Sequence, residues 1–250
     1  MQIEGLSWFP GHMTKTKRMI VAEIKNVDAV CEILDARIPL SSRNPDVDEM
    51  TTGKPRLVVL NRVDQADPRE TKRWAAYFRG KGYAVLEANA KGGVGTAQFA
   101  AAVRELLKDK LAAYAEKGQV GRTVRVMVLG IPNVGKSTFI NKVAHRKTAK
   151  AEDRPGVTRS KQWVPVDRTL ELLDTPGILW PKFDDVEVGK CLAFTGAIKD
   201  DVMDIEELAC YLMEYLGRHY ADILTERYKI DVEEGDMGYD LLTLSLIHIS

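Results

Sequence analysis

Cysteine is scarce in this 250-residue chain: only Cys31, Cys191 and Cys210 occur, and no two of them form a Cys-x-x-Cys pair. That spacing argues against a disulfide framework or a zinc knuckle and suits a reducing compartment. No apolar run approaches the roughly 18 residues that a membrane span requires, so no membrane partner is expected. The opening "MQIEGLSWFPGHM" lacks both an apolar core segment and an Arg/Ser-rich amphipathic leader, which makes the cytoplasm the expected location. Internal repeats and low-complexity tracts are missing too. So is net charge, with 36 basic and 36 acidic residues. The balance hides a division, because residues 184–250 hold 16 acidic and 5 basic side chains, leaving 20 acidic and 31 basic in the first 183. A basic body suits a polyanion, and an acidic tail suits a more independent segment.

What is present reads as an α/β protein. With 45% hydrophobic and 29% charged residues, the chain can bury a sizeable core. Short β-rich runs alternate with helical patterns, as in a parallel sheet of βα units. The expected strands are "AVCEILD" (29–35), "RLVVLN" (56–61), "AVLEAN" (84–89), "VRVMVLG" (124–130), "WVPVD" (163–167) and "TLELLD" (169–174), the last two forming a hairpin across Arg168. Helices are expected near 13–25, 68–81, 96–117 and 137–144, the third unbroken as far as Gly118. Beyond Pro181, "VEVGKCLAFTGAIKD" and "DIEELACYLMEYLGRHYADILTERY" are helical and acidic. The final "DLLTLSLIHIS" alternates apolar and polar residues as a strand does. The expected division is a sheet domain over residues 1–182 and a small helical domain over 183–250.

Two strand ends carry phosphate chemistry. "GIPNVGKST" matches G-x-x-x-x-G-K-S/T at Gly130, Gly135, Lys136 and Ser137, after a strand and opening a helix. Backbone N–H groups from Asn133 through Val134, Gly135, Lys136, Ser137 and Thr138 would wrap phosphates at a helix N-terminus. Lys136 would reach the β- and γ-phosphates, and the Ser137 hydroxyl would bind Mg²⁺. "LELLDTPG" places Asp174 at a strand end 38 residues after Lys136. Asp174 would hold Mg²⁺ through water, and the Gly177 N–H would meet the γ-phosphate, which puts Lys136 and Gly177 among the catalytic groups. Between them, "RPGVTRS" offers Thr158 as a second Mg²⁺ ligand that engages when γ-phosphate is present.

Guanine recognition needs a carboxylate for the ring N1–H and exocyclic amine, with an amide for the opposite edge. That arrangement lies upstream of the phosphate motifs, where "VVLNRVDQAD" ends a strand with Asn61, Arg62 and Asp64. Arg62 stands where Lys is usual, and its flat guanidinium can still stack on a base. A second strand end, "LEANAKGG", supplies Asn89, Ala90 and Lys91 for the loop whose backbone N–H contacts the base.

Base-reading motifs that precede phosphate motifs imply a circular permutation, with every motif still at a strand C-terminal end. Together with "WFPGHMTKTKRMI", "LDARIPLSSRNP", "RPGVTR" and "LLDTPGILWP", this order resembles the circularly permuted GTPases of the ribosome biogenesis GTPase A (YlqF/RbgA) family over about residues 6–240. The resemblance implies a permuted P-loop GTPase fold followed by a small α-helical C-terminal domain that normally runs further than this chain. It implies a monomer that binds GTP or GDP with Mg²⁺, associates with the large ribosomal subunit through its rRNA, and is released on hydrolysis stimulated by the particle. The family has a hydrophobic residue where a catalytic glutamine usually stands, and Ile178 fits. By resemblance His12, on a segment that a partner would order, orients the water, and Asn133 coordinates K⁺. Lys15, Lys17 and Arg18 beside His12 suit rRNA phosphates. Three alternatives stand: a nucleotide-gated RNA-binding module with negligible catalysis, a P-loop ATPase, and a small-subunit assembly GTPase. The last would need an OB-fold barrel and a Cys/His zinc site, which this chain lacks.

Overall fold

A computed structural model of the chain describes residues 11–145, 161–180, 185–198, 204–233 and 235–249. It divides into two compact units, Met1–Asp185 and Val186–Ser250. The first unit is built on strands β1 (Ala29–Asp35), β2 (Arg56–Asn61), β3 (Ala84–Ala88), β4 (Val124–Leu129), β5 (Gln162–Asp167) and β6 (Leu170–Asp174). They form one sheet in the order β3-β2-β1-β4-β6-β5. All neighbours are parallel except β5, which returns antiparallel on β6 across the Arg168 turn. Every residue of β1 and β2 is buried, the pattern of strands covered on both faces. The edge strand β5 is largely exposed instead, with Val164 its one buried residue, and carries Pro165 beside an irregular register, where a missing N–H costs the sheet little.

The helices of this unit are α1 (Gly11–Glu23), α2 (Asp46–Met50), α3 (Pro68–Gly80), α4 (Phe99–Leu106), α5 (Lys108–Glu116) and α6 (Lys136–Val143). Helix α1 buries Met13, Thr16 and Ile20, spaced so that they share one face. Ile20 then packs with Val47 and Met50 of α2 on Val30, Met127, Leu129 and Leu173 of the sheet. Ala75 and Phe78 of α3 pack on Leu34, Val58 and Leu60. Asp67 caps α3, its carboxylate accepting from Arg69 N and Glu70 N ahead of a helix that starts at proline. Beneath α2, Arg56 donates to Glu32 Oε2 (3.0 Å) and to Thr51 Oγ1 (2.6 Å), which ties the segment after β1 to the sheet.

Two expectations about elements are corrected here. The helix expected over 96–117 is a 3₁₀ turn (Thr96–Gln98) followed by α4 and α5, with a break at Leu107 (φ −106°, ψ 12°). Phe99, Val103 and Leu107 all enter the core, whereas α5 buries none of its residues. The chain therefore bends where its apolar stripe ends.

The second unit contains α7 (Val186–Phe194), α8 (Ile205–Tyr228) and α9 (Gly238–Ile249). Asp204 caps α8 by accepting from Glu207 N, and α8 kinks at Tyr220. Its core joins Met213, Leu224, Ile230 and Leu241. The last stretch, expected to be a strand, is α9. Among the described residues of this unit there is no strand edge for it to pair with, and a lone strand is not stable. Among the described residues, no helix is long and apolar enough to cross a membrane.

Candidate nucleotide site

Chain order turns back at β1: β2 and β3 lie to one side, β4 and β6 to the other. Such a switch point opens a crevice beyond the strand C-terminal ends. All the motif loops at strand ends meet there. The loop 130–135 joins β4 to α6, Asn61 ends β2 and residues 62–65 follow it, residues 89–91 follow β3, and Thr175–Gly177 follow β6.

The phosphate loop is held by its carbonyls. Val134 O accepts from Asn61 Nδ2 (2.8 Å) and Asn133 O from Arg62 Nη2 (2.6 Å). Gly130 O and Ile131 O accept from Lys136 Nζ at 3.1 and 2.8 Å. With these acceptors committed to the protein, the loop has N–H groups to offer an anion. Gly135 is required twice over, since its φ is +95° and a Cβ there would lie 2.5 Å from Asn61 Nδ2. Asn133 also adopts a left-handed conformation (φ 57°).

Lys136 and Asp174 are both buried in the floor of the site and act on each other through their charges. Burial pulls the Lys136 ammonium down to about 8, opposed by the charge of Asp174. Burial likewise pushes the Asp174 carboxyl up to about 6, opposed by Lys136. Asp174 Oδ1 is buried and has no hydrogen-bond partner among the described residues. An unsatisfied buried carboxylate oxygen of this kind fits the water shell of Mg²⁺, a hard cation that keeps several of its waters. Ser137 stands in the first turn of α6, as a direct ligand would. Thr158 lies outside the described residues.

The base-reading residues divide into scaffold and contact. Asn61 is buried, and its Oδ1 accepts from Ala90 N (3.0 Å) while its Nδ2 holds Val134 O. One side chain thus joins the loops after β2, β3 and β4. It was expected to read the base edge; its Oδ1 and one of its two Nδ2 hydrogens serve the scaffold. Arg62, in a left-handed conformation (φ 65°), was expected to stack on the base. Its guanidinium nitrogens hold Asn133 O and lie 3.7 Å from Asp35 Oδ2, contacts made at the edge of the plane. Asp64 is exposed and accepts no hydrogen bond among the described residues, so its carboxylate is available to a guanine edge. Asn89 Oδ1 accepts from Gly92 N (2.8 Å), which shapes the turn that presents buried Ala90 and exposed Lys91.

The turn after β6 lies against the phosphate loop. A Cβ on Gly177 would meet Pro132 N at 2.7 Å, and Ile178 N donates to Gly130 O at 3.3 Å. The Ile178 side chain is buried in the cluster with Ile20, Val30 and Leu173, so it anchors the turn and does not face a nucleotide. Its carbonyl accepts from the buried Asn44 Nδ2 (3.3 Å). The backbone of His12 lies in the first turn of α1, where a loose segment was expected; its side chain is outside the described residues. Lys17, expected to meet RNA, pairs with Asp46 at 2.9 Å and ties α1 to α2, while Lys15 and Arg18 are exposed.

Sequence reasoning passed over Asp35, Asn44 and Thr175. Asp35 Oδ1 accepts from Arg37 N and Nε, and its Oδ2 from Arg37 Nη2 (2.7 Å); Thr175 Oγ1 donates to Val128 O. The signal was an aspartate closing an apolar strand in "LDARIPLSSRNP", with Asn44 before a proline.

Comparison with known proteins agrees with this geometry. Residues 125–226 match the family described as 50S ribosome-binding GTPase. Ribosome biogenesis GTPase A of Bacillus cereus is 51% identical over 226 residues, covering 90% of this chain and 76% of that protein. The protein of the same name from Priestia megaterium is 49% identical over 227 residues, covering 90% and 79%. The GDP-bound structure of TM YlqF superimposes with a TM-score of 0.58 at 25% identity, covering 93% of this chain and 92% of that one. With about half of its residues shared along most of both proteins, the chain belongs to the ribosome biogenesis GTPase A family and is a GTPase.

Proposed function

We propose that this GTPase acts in assembly of the large ribosomal subunit, that it binds the particle through rRNA as a cytoplasmic monomer, and that GTP hydrolysis releases it. The observation that carries the reading is the Asn61 tie, which locks the base-reading loops and the phosphate loop into one site despite their permuted order. The names of its relatives connect them with ribosome biogenesis. In this reading residues 1–182 are the GTPase domain and residues 183–250 the helical domain.

Each residue's role follows from its place. Asp64 accepts from the guanine N1–H and exocyclic amine, and the turn of Ala90 and Lys91, whose Ala90 N–H is held by Asn61 Oδ1, lies toward the opposite edge with its Lys91 backbone. Lys136 and the Gly177 N–H face the oxygens on which charge develops during phosphoryl transfer. Ser137 and Thr158 directly, and Asp174 through water, would hold Mg²⁺, and Asn133 would hold K⁺; bound there, the ions would supply neutralisation of phosphate charge. Because Ile178 is a core residue, water orientation falls to His12. A neutral imidazole accepts from water, and an unperturbed histidine with a pKa near 6.5 is mostly neutral at cytoplasmic pH.

The test is GTP turnover in potassium buffer, with and without purified large subunits. Acceleration by the particle, abolished in His12→Ala, is the expected result. Turnover unchanged by a particle that the protein demonstrably binds would overturn the reading.

A further inference from the structure

At the sheet end opposite the nucleotide site, the starts of β1, β2 and β4 and one side of α5 enclose a polar recess of about 480 Å³. Its walls carry Lys25, Lys54, Lys110, Arg122 and Arg125 against one carboxylate, Asp28. That carboxylate is fully engaged. Its Oδ1 lies 2.7 Å from Lys110 Nζ and accepts from the Tyr114 hydroxyl (3.4 Å), and its Oδ2 accepts from Arg125 N (3.0 Å). Arg125 lies 3.3 Å from Glu171.

The other three cations have no carboxylate within ion-pair distance among the described residues. Lys54 Nζ donates to the neutral carbonyl of Val27 (2.7 Å). Arg122 lies 4.3 Å from the centre of the Tyr114 ring and donates to Gln119 Oε1 (3.1 Å). Lys25 is exposed. Crowding of like charge is unfavourable here, and both burial and the neighbouring Lys110 pull the Lys54 ammonium below its ordinary value. An anion entering the recess relieves that repulsion. The polar walls do not suit a ligand with an apolar body, and the volume exceeds what a single phosphate group fills.

We propose that this recess is a second anion site that seats consecutive backbone phosphates of an RNA strand. The inference rests on the rRNA-binding reading above and locates one of its contacts. The strands between the two sites are six or seven residues long. At about 3.3 Å per residue they hold the recess roughly 20 Å from the nucleotide site, too far for one nucleotide to occupy both.

The double variant Lys25→Gln, Arg122→Gln tests it, since both side chains are exposed and neither belongs to the nucleotide site. Wild type and variant are compared for binding to purified large subunits across a salt series, with GDP affinity measured in parallel. The expected result is unchanged GDP affinity, weaker particle binding, and a plot of log K against log salt shallower by about 1.4 to 1.8. Particle affinity and salt slope equal to wild type would overturn the recess while leaving the ribosomal reading intact. Failure of the wild type to bind particles at any salt would sink both.

Discussion

Asp174 and Lys136 each carry charge against burial, and this sets a pH dependence with a definite sign. The Asp174 folded value of about 6 lies above its ordinary 3.8. Its stabilising contribution is therefore complete below about pH 4 and lost as pH rises through 6. Lys136 is depressed from 10.5 to about 8, so its contribution is present above 10.5 and lost as pH falls through 8. Asp174→Asn should remove the acid-side dependence and stabilise the protein near neutral pH by on the order of 2 kcal/mol. The same change should cut Mg²⁺-dependent turnover by about 10²-fold. Thermal melts across pH, paired with turnover, check both halves; a variant that melts lower at neutral pH would count against the burial argument. Asn61→Ala leaves Ala90 N and Val134 O without their partner and should cost about 2–4 kcal/mol of stability as well as nucleotide affinity, read by urea unfolding and GDP titration. Much of this scale was open to sequence reasoning, because Lys136, Ser137 and Asp174 sit at fixed offsets that phosphate chemistry dictates. The inward roles of Asn61 and Arg62 were not, because the phosphate-loop carbonyls they hold lie more than 70 residues away in the chain.

Elements were legible in proportion to how much local pattern they carry. The buried strands β1, β2 and β4 are apolar runs bounded by polar turns, and they form where those runs stand. Helix α2 is five residues long, too short for periodicity to register, and α9 took the form set by what lies beside it. The contact between the phosphate loop and the turn after β6 also belongs to this scale. A methyl group at Gly177 would press on Pro132 N at 2.7 Å, so Gly177→Ala should part the two loops. At about 1–3 kcal/mol for such overpacking, affinity for a GTP analogue should fall roughly 5- to 150-fold while GDP affinity stays close to wild type. Equal losses for both nucleotides would mean that the turn does not sense the γ-phosphate.

At the scale of the whole molecule, permutation separates the motif set along the chain and the sheet reunites it. Asn61, Ala90, Gly135 and Asp174 come from four strand ends and converge because β1 and β4 are neighbours at the switch point. The zero net charge conceals a basic first unit, and the recess formed by Lys25, Lys54 and Arg122 is one place where that excess is concentrated. Composition disclosed the excess; only the fold brings residues 25, 54 and 122 together. Whether the reunited loops form one guanine site is tested most directly by GDP titration of wild type and Asp64→Asn, with ADP as competitor. Wild type should bind GDP undisturbed by ADP. Asp64→Asn should lose about 10- to 100-fold in affinity without melting earlier, because its carboxylate is exposed and accepts no hydrogen bond among the described residues, and Arg37, whose charge it supports, is held by Asp35. An Asp64→Asn protein that binds GDP as tightly as wild type, or a wild type from which ADP displaces GDP, would contradict the guanine site.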